Sequence, residues 1–457
     1  MQQIVDYQGK EVQLQLFPVE TKKSSKEGAS FSDPAFASNK TTPVHRWVPW
    51  IAGFSSDFVR QALEKHLDHK GTVLDPFAGV GTTLIESIRL GHNAIGFEIN
   101  PYAALACHIK LNARLIDAAL LKTEISKCSE FYREKTIVDY VPRSLPPEGF
   151  HTRDDFYSPK VLHKVLIIQD FISTIDDNNI QDLFRLAFAA TMVRYSNYSY
   201  EPSLTRRVSS GKSEILDFPV CETILCKLAE IAEDVTWLQS QIPNQTLCTS
   251  VTNDSFFNYK QYLAPQSVDL IVTSPPYLNN YHYNRNTRPQ MYWLGYAATP
   301  KDLKSLETAN FGKYWQTVRE QEYLGLDFSL PNTDIDNTLK LLRSINQEKK
   351  IYGGNGWANY AASYFNDCRK LALGICYCLK PGGTALIVIG NSILQGITIP
   401  TDQYFAKIAE AEGLELVEIH VPRATRVGNS IIQSSVRAVK AEKSHKLYEA
   451  VVELRKR

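Results

Sequence analysis

The sequence predicts an α/β fold in which a parallel sheet carries helices on both faces and is interrupted by a long helical insertion. Three observations predict it. First, Gly71-Thr72-Val73-Leu74 reads as a short buried strand, and a glycine-bearing turn, a helix from Leu84 to Leu90 and the strand Asn93-Ala94-Ile95-Gly96-Phe97-Glu98 follow. That succession is a βαβ unit, and its crossover makes the two strands parallel. Second, sheet character returns in the apolar run Val268-Asp269-Leu270-Ile271-Val272 and again from Thr384 to Ile389. Short apolar runs bounded by turn residues fit strands covered on both faces. Third, residues 113–246 carry apolar residues three and four apart in Val161 to Ile175, Asp182 to Val193 and Val220 to Leu238, which is helical spacing.

Taken in order, residues 1–40 include the polar stretch Thr21-Lys22-Lys23-Ser24-Ser25-Lys26-Glu27-Gly28 and are expected to form a flexible tail. Ordered structure is expected from His45-Arg46-Trp47-Val48-Pro49-Trp50. Phe58, Val59, Ala62, Leu63 and Leu67 then mark one face of a helix with Ser56 as its cap. Residues 41–112, 247–284 and 359–457 are expected to build the sheet domain, with 113–246 as the insertion. From 279 to 358 the chain is polar and aromatic-rich. Its cluster Asn346-Gln347-Glu348-Lys349-Lys350 and turn Gly353-Gly354-Asn355-Gly356 read as loop or interdomain material. Tyr360 to Leu379 reads as a helix, Lys380-Pro381-Gly382-Gly383 as a tight turn, and Thr401 to Glu412 as a helix. Leu414 to Val421 and Leu447 to Leu454 are the last candidate strands, with a helix the alternative for the second. No internal repeat is evident.

At 457 residues, with 44% apolar and 22% charged content, the chain has room for two or three domains and a substantial core. No stretch approaches the roughly 20 apolar residues of a membrane span. Residues 1–19 mix Gln, Asp, Lys and Glu rather than showing a secretory pattern, so a cytoplasmic protein is expected. The eight cysteines are scattered without C-x-x-C spacing or an accompanying histidine cluster; reduced, mostly buried thiols, and no metal site, are expected. Net charge is +1, from 50 basic and 49 acidic residues, which neither announces nor excludes a nucleic-acid partner.

Two segments carry chemistry. In Asp75-Pro76-Phe77-Ala78-Gly79-Val80-Gly81-Thr82-Thr83, the glycines let the backbone turn sharply and approach a ligand, and the next helix offers free N–H groups at its start. Glu98 ends the following strand, where an acid can accept from both hydroxyls of a ribose. These features alone also suit a nicotinamide enzyme. The second segment, Thr273-Ser274-Pro275-Pro276-Tyr277, comes directly off a buried strand. Its prolines fix φ and remove two N–H groups, leaving carbonyls as acceptors. A delocalised exocyclic amine is a poor nucleophile; hydrogen bonds from it to the Ser274 side chain and the Pro275 carbonyl favour the pyramidal nitrogen that attacks. Tyr277 is placed to stack on a planar base. A strand ending in a Pro-Pro turn with a packing tyrosine is the purely structural alternative.

Together the segments resemble the amino-methyltransferases of DNA, which use S-adenosylmethionine to methylate N4 of cytosine or N6 of adenine. The resemblance covers roughly 45–110, 248–284 and 360–454, and extends to Val388-Ile389-Gly390-Asn391-Ser392 followed by Ile399-Pro400-Thr401. It implies a Rossmann-like, S-adenosylmethionine-dependent methyltransferase sheet, with 41–112, 247–284 and 359–457 as the catalytic domain. It also implies that Asp75, Gly79 and Gly81, with Phe77 and Thr82 of the same loop, bind the cofactor, that Glu98 holds the ribose, and that Asp254 with Ser255 lies near the adenine. An aspartate capping a turn is the other reading of Asp254. Arg46, Trp47 and Pro49 occupy the place of a segment that packs on the methionine end, where Arg46 pairs with a carboxylate or is an ordinary surface arginine. Ser274, Pro275, Pro276 and Tyr277 would carry catalysis on a flipped base. Serine at 274 leans towards cytosine N4, because adenine enzymes more often have Asp or Asn there, although Ser-Pro-Pro-Tyr also occurs among them. In many relatives the proline turn comes first; here the cofactor loop does. No Pro-Cys dipeptide supports a cytosine-C5 mechanism.

For DNA, aromatics interleaved with Arg and Asn suit stacking, phosphate contact and base-edge bonding. Tyr281, Tyr283, Arg285 and Arg288, with Arg206 and Arg207 in the insertion, are the candidates. The candidate recognition region is 285–358, within a DNA-facing surface of 280–358 plus part of 190–215; a solvated loop is the alternative for any one of these residues. The expected function is a DNA cytosine-N4 methyltransferase of a restriction-modification or related defence system, with a cognate restriction endonuclease or defence subunits as partners. Adenine-N6 methylation, RNA methylation and a catalytically silent nucleic-acid-binding module are the alternatives.

Overall fold

A computed structural model describes residues 31, 36–50, 53, 55–200, 203–243, 245–278, 283–426 and 446–457. Seven strands make the central sheet: β1 (Thr72–Asp75), β2 (Asn93–Phe97), β3 (Thr249–Thr252), β4 (Val268–Thr273), β5 (Leu379–Gly390), β6 (Leu414–Arg426) and β7 (Lys446–Lys456). They lie in the order β6-β7-β5-β4-β1-β2-β3. β7 is antiparallel to β5 and β6, and the remaining pairings are parallel. The expected Rossmann-like sheet is thus present, with one reversed strand. From β1 the chain moves outward to β2 and β3 on one side, then returns to β4 and β5 on the other. Ligands of open α/β sheets bind beyond the carboxyl ends of the strands at such a reversal.

Alternate residues of the strands feed opposite faces, as the pleat requires. Leu74, Ile271, Ala385, Ile387 and Ile389 point into one core with the helices α8 (Gly354–Cys378) and α9 (Thr401–Ala411). Val73, Leu270, Val272, Leu386 and Val388 point the other way, onto Phe58, Val59, Ala62 and Leu63 of α1 (Ser56–His66). Each such Val, Leu, Ile or Phe side chain, taken from water, contributes about 1.5–3 kcal/mol. The helices α2 (Thr82–Arg89) and α3 (Pro101–Asn112) share a third core with the insertion, whose main helices are α4 (Ala118–Ile137), α5 (Pro159–Ile172), α6 (Asn178–Thr191) and α7 (Val220–Gln241). The insertion also carries a short hairpin of Tyr198–Tyr200 and Leu204–Arg206. No described helix is long and apolar enough to cross a membrane.

Several local expectations are corrected. The cap of α1 is Ser55, whose side chain accepts from Asp57 N at 3.2 Å, and Ser56 is the first helical residue. The tail expected over 1–40 lies largely outside the described residues, yet Phe31 is 5% exposed against α1 and Asn39 is fully buried. The polar, aromatic-rich stretch 279–358 contains short helices, among them Arg288–Trp293, Pro300–Ala309 and Ile335–Ser344. Its apolar residues divide between cores: Met291, Tyr292 and Leu294 join the insertion, while Phe311, Trp315, Ile335 and Leu342 pack on α8. Gly354 and Gly356 start α8 rather than forming a turn. A β-carbon on either would collide with a carbonyl, of Leu342 or of Ile351, so these glycines serve close packing. Lys380 to Gly383 bulge out of β5: Leu379 pairs with Val268 and Thr384 with Leu270, and Gly382 takes φ +79°.

Candidate active site

The carboxyl ends of β1 and β4 are stitched together from below. Thr273 Oγ1 donates to Asp75 Oδ1 at 2.6 Å, Phe77 N donates to the same oxygen at 3.0 Å, and Thr83 Oγ1 donates to the Val272 carbonyl at 3.2 Å. Asp75 is fully buried, and its Oδ2 has no partner among the described residues. Burial pushes its carboxyl up to about 6, against the pull of the bonds from Thr273 and Phe77.

Above this clamp the loop is held open by backbone conformations that favour glycine. Gly79 and Gly81 have φ of +53° and +87°. A β-carbon at Gly79 would lie 3.3 Å from Trp50 Nε1, and one at Gly81 would lie 3.2 Å from Cys107 Sγ. Gly79 N donates to Glu98 Oε2 at 2.8 Å, and Asn100 N donates to Oε1 at 2.7 Å. Desolvation pushes the Glu98 carboxyl up to about 7, partly offset by the bonds from Asn100 and Gly79. Each carboxyl oxygen keeps a lone pair for a ligand hydroxyl.

The Ser274–Tyr277 turn leaves β4 beside β5 and β7. Tyr364 of α8 donates its hydroxyl to the Pro276 carbonyl at 3.1 Å, and the Pro275 carbonyl has no donor among the described residues. Of the turn's carbonyls left as acceptors, that of Pro276 is therefore engaged. The Tyr277 ring lies against Gly390, where a β-carbon would sit 3.3 Å from its Cε2. Its hydroxyl donates to Glu449 Oε1, on β7, at 3.3 Å. Glu449 and Tyr364 carry no motif; only contacts between distant segments reveal them.

A single cavity of about 610 Å³ joins the two segments. Its wall includes Phe77, Gly79, Thr82 and Glu98 from the loop side, and Ser274, Pro275, Pro276 and Tyr277 from the turn. Phe77 meets Phe311 edge-on at 5.2 Å, and Phe257 lies 6.1 Å from Phe311, giving an apolar slot beside Asp254 and Ser255. The arrangement fits an adenosyl group: an acid for paired hydroxyls, a stretch of backbone without side chain, and aromatic surface for a purine.

Other candidates fall out differently. Asp75 and Gly81 lie behind the cavity wall rather than on it. Asp254 is on the wall, but its carboxylate accepts from Ser255 N, Asn258 Nδ2 and Tyr262 Oη at 2.7–3.0 Å, and these bonds, outweighing desolvation, hold it below the usual range. Arg46 also lines the cavity, yet it is paired in two-pronged fashion with Asp234 of α7, at 2.7 and 3.1 Å. Asp234 takes Trp47 Nε1 and Val44 N as well, so it anchors the whole 44–47 segment. Among the DNA candidates, Arg206 pairs with Asp154, Arg207 donates to the Ser213 carbonyl, and Arg288 donates to the His151 carbonyl. Arg285 is exposed with no partner among the described residues. Tyr281 and the side chain of Tyr283 lie outside the described residues.

Residues 6–107 match the family N6_N4_Mtase, DNA methylase. The chain is 25% identical over 437 residues to the Type II methyltransferase M.BsoBI of Geobacillus stearothermophilus, spanning 87% of this chain and 83% of that one. It is 25% identical over 421 residues to the Type II methyltransferase M.AvaI of a Nostoc species, spanning 87% and 84%. With the Type II methyltransferase M.MvaI of Kocuria varians it shares 24% identity over 340 residues, 72% of each chain.

Proposed function

The chain belongs to the DNA amino-methyltransferase family, and we propose that it transfers a methyl group from S-adenosylmethionine to the exocyclic N4 of cytosine in duplex DNA. The observation that carries this reading is the one cavity lined by both Glu98 and the Ser274–Tyr277 turn. Bound there, S-adenosylmethionine supplies an electrophilic sulfonium methyl. Glu98 accepts from the ribose hydroxyls, Gly79 lets the backbone approach, and Phe77 with Phe257 faces the adenine.

A target cytosine, swung out of the duplex, stacks on Tyr277, which Gly390 and Glu449 hold in place. Its amine donates to Ser274 Oγ and to the Pro275 carbonyl. These acceptors localise the nitrogen lone pair towards the methyl and stabilise the positive charge that grows on nitrogen. With the methyl donor bound, the turn would hold the amine in line with the methyl, and the proton the amine gives up would pass from Ser274 Oγ and the Pro275 carbonyl to solvent. No covalent enzyme intermediate is needed; the contribution is alignment and preorganised dipoles.

The match to a DNA methylase family and the similarity to three Type II methyltransferases support DNA as the substrate, and a cognate restriction endonuclease is the partner proposed with it. The choice of cytosine rests on the neutral Ser274, and adenine N6 is the second reading. The test is incubation of mixed-sequence duplex DNA with methyl-labelled S-adenosylmethionine, followed by nucleoside mass spectrometry. Label in N4-methylcytosine is expected. Label in N6-methyladenine would keep the mechanism and overturn the base.

A further inference from the structure

His45 opens a short 3-10 turn, is 1% exposed, and lines the cavity. Its Nε2 lies 2.8 Å from Glu86 Oε1. Glu86 is itself fully buried on α2 and takes Arg89 Nη1 on both oxygens, at 2.8 and 2.9 Å, while Arg89 sits over the Trp237 ring. A carboxylate in that setting can only accept, so Nε2 carries the ring proton. Burial holds the imidazole below its ordinary range despite Glu86, so the ring is neutral and Nδ1 is a bare acceptor. Nδ1 is buried and has no hydrogen-bond partner among the described residues. Such an orphan is unfavourable, and Glu86 keeps the ring from turning to relieve it.

The surroundings say what would relieve it. Beside His45 the wall carries Asn39, Lys40, Arg46, Lys227 and Glu230, a mixture of cations and acceptors suited to a zwitterionic amino-acid group. Most are already engaged: Arg46 with Asp234, Lys227 with Glu230, and Asn39 Oδ1 with Ser56 N. The Glu230 carboxylate faces Lys227 and Arg46, and His45 Nδ1 is a buried acceptor there with no partner among the described residues.

We propose that His45 Nδ1 accepts a hydrogen bond from the α-ammonium group of the cofactor's amino-acid end, with Glu86 fixing the tautomer that leaves Nδ1 bare. This rests on the S-adenosylmethionine reading above. His45 is then a binding residue and Glu86 a positioning residue.

Calorimetry with three ligands tests it: S-adenosylhomocysteine, its deaminated analogue that keeps the carboxylate, and 5′-methylthioadenosine, which lacks the amino-acid end. Wild type should bind S-adenosylhomocysteine roughly ten- to hundredfold more tightly than the deaminated analogue, the range for a hydrogen bond to a charged group. His45→Leu should lose that factor for S-adenosylhomocysteine alone and bind the other two as wild type does. Equal weakening of all three would make His45 structural and overturn the proposal while leaving the cofactor reading intact. Equal wild-type affinity for all three would do the same. Wild type that binds none of them would bring down the cofactor reading and the proposal together. A measurement independent of any variant is ¹⁵N NMR of His45 in the wild-type protein. S-adenosylhomocysteine should shift the unprotonated Nδ1 resonance to its hydrogen-bonded range, and 5′-methylthioadenosine should not. No shift with bound S-adenosylhomocysteine would overturn the assignment.

Discussion

Replacing Glu98 by Gln should flatten the loss of stability with rising pH and make the protein worse at binding its cofactor. Gln, like the protonated acid, carries no charge, but its amide nitrogen cannot accept from Gly79 N or Asn100 N. The variant therefore gives up one of those bonds at every pH, and the pH-dependent difference turns on what ionising Glu98 costs. Moving a carboxyl from 4.5 to about 7 corresponds to about 3 kcal/mol, at 1.4 kcal/mol per tenfold. Water admitted by the cavity screens part of that, leaving about 1–2 kcal/mol. Because the folded-state value is raised, the native protein keeps a proton that the unfolded chain gives up between pH 4.5 and 7. Stability from this group is therefore full below 4.5, falls as pH rises towards 7, and is flat above. Glu98→Gln does not titrate. Relative to wild type it should gain about 1–2 kcal/mol between pH 5 and pH 8, on top of a pH-independent loss of about 1–3 kcal/mol for the missing backbone bond, in urea unfolding followed across that range. Asp75, raised to about 6, adds a similar slope to both proteins and cancels in the difference. Binding moves the opposite way: losing a charged acceptor for the ribose hydroxyls should cost roughly ten- to hundredfold in S-adenosylhomocysteine affinity at pH 8. An unchanged pH slope in the variant, or undiminished affinity, would refute the role given to Glu98.

Tyr277→Ala should lower methylation of duplex DNA by roughly ten- to hundredfold, the loss of about 1–3 kcal/mol of base stacking, with S-adenosylhomocysteine affinity unchanged; full activity would remove the stacking role. Gly81→Val puts a β-branched residue at φ +87° against Cys107, and should cost at least about 1–2 kcal/mol in chemical denaturation and weaken cofactor binding through the displaced loop. A variant with wild-type stability and affinity would show that the loop tolerates the strain. Thr273→Val deletes the hydroxyl donor to buried Asp75 and should destabilise by about 1.5–3 kcal/mol above pH 7, with less effect at pH 5, where Asp75 is protonated. Equal destabilisation at both pH values would mean that the Asp75 charge is not what the bond serves.

Local patterns made the centre of this molecule readable. The βαβ unit around Gly79 and Gly81 and the apolar run before Ser274 are contiguous, so their periodicity and turn residues suffice to place them at adjacent strand ends. What escaped depends on contacts across long separations. Nothing near Arg46 in sequence announces Asp234, which takes its guanidinium from 188 positions away. Tyr277 is positioned by Glu449, 172 positions on, and by the absence of a side chain at Gly390. Gly353 to Gly356 misled for a related reason: glycine is the residue of turns and also of tight packing, and only the neighbouring carbonyls decide between them. His45 carried no signal of its own, because its meaning comes from a buried carboxylate 41 positions away and an orphaned nitrogen.

The most direct test of the central claim, that one cavity brings the transferable methyl and the target amine together, is a crystal structure of the protein with S-adenosylhomocysteine and its substrate duplex. The account predicts ribose hydroxyls on Glu98, the thioether sulfur facing the Ser274–Pro275 turn, and a flipped cytosine on Tyr277 with its amine between Ser274 Oγ and the Pro275 carbonyl. A cofactor bound away from Glu98, or a base held outside the Ser274–Tyr277 turn, would contradict it.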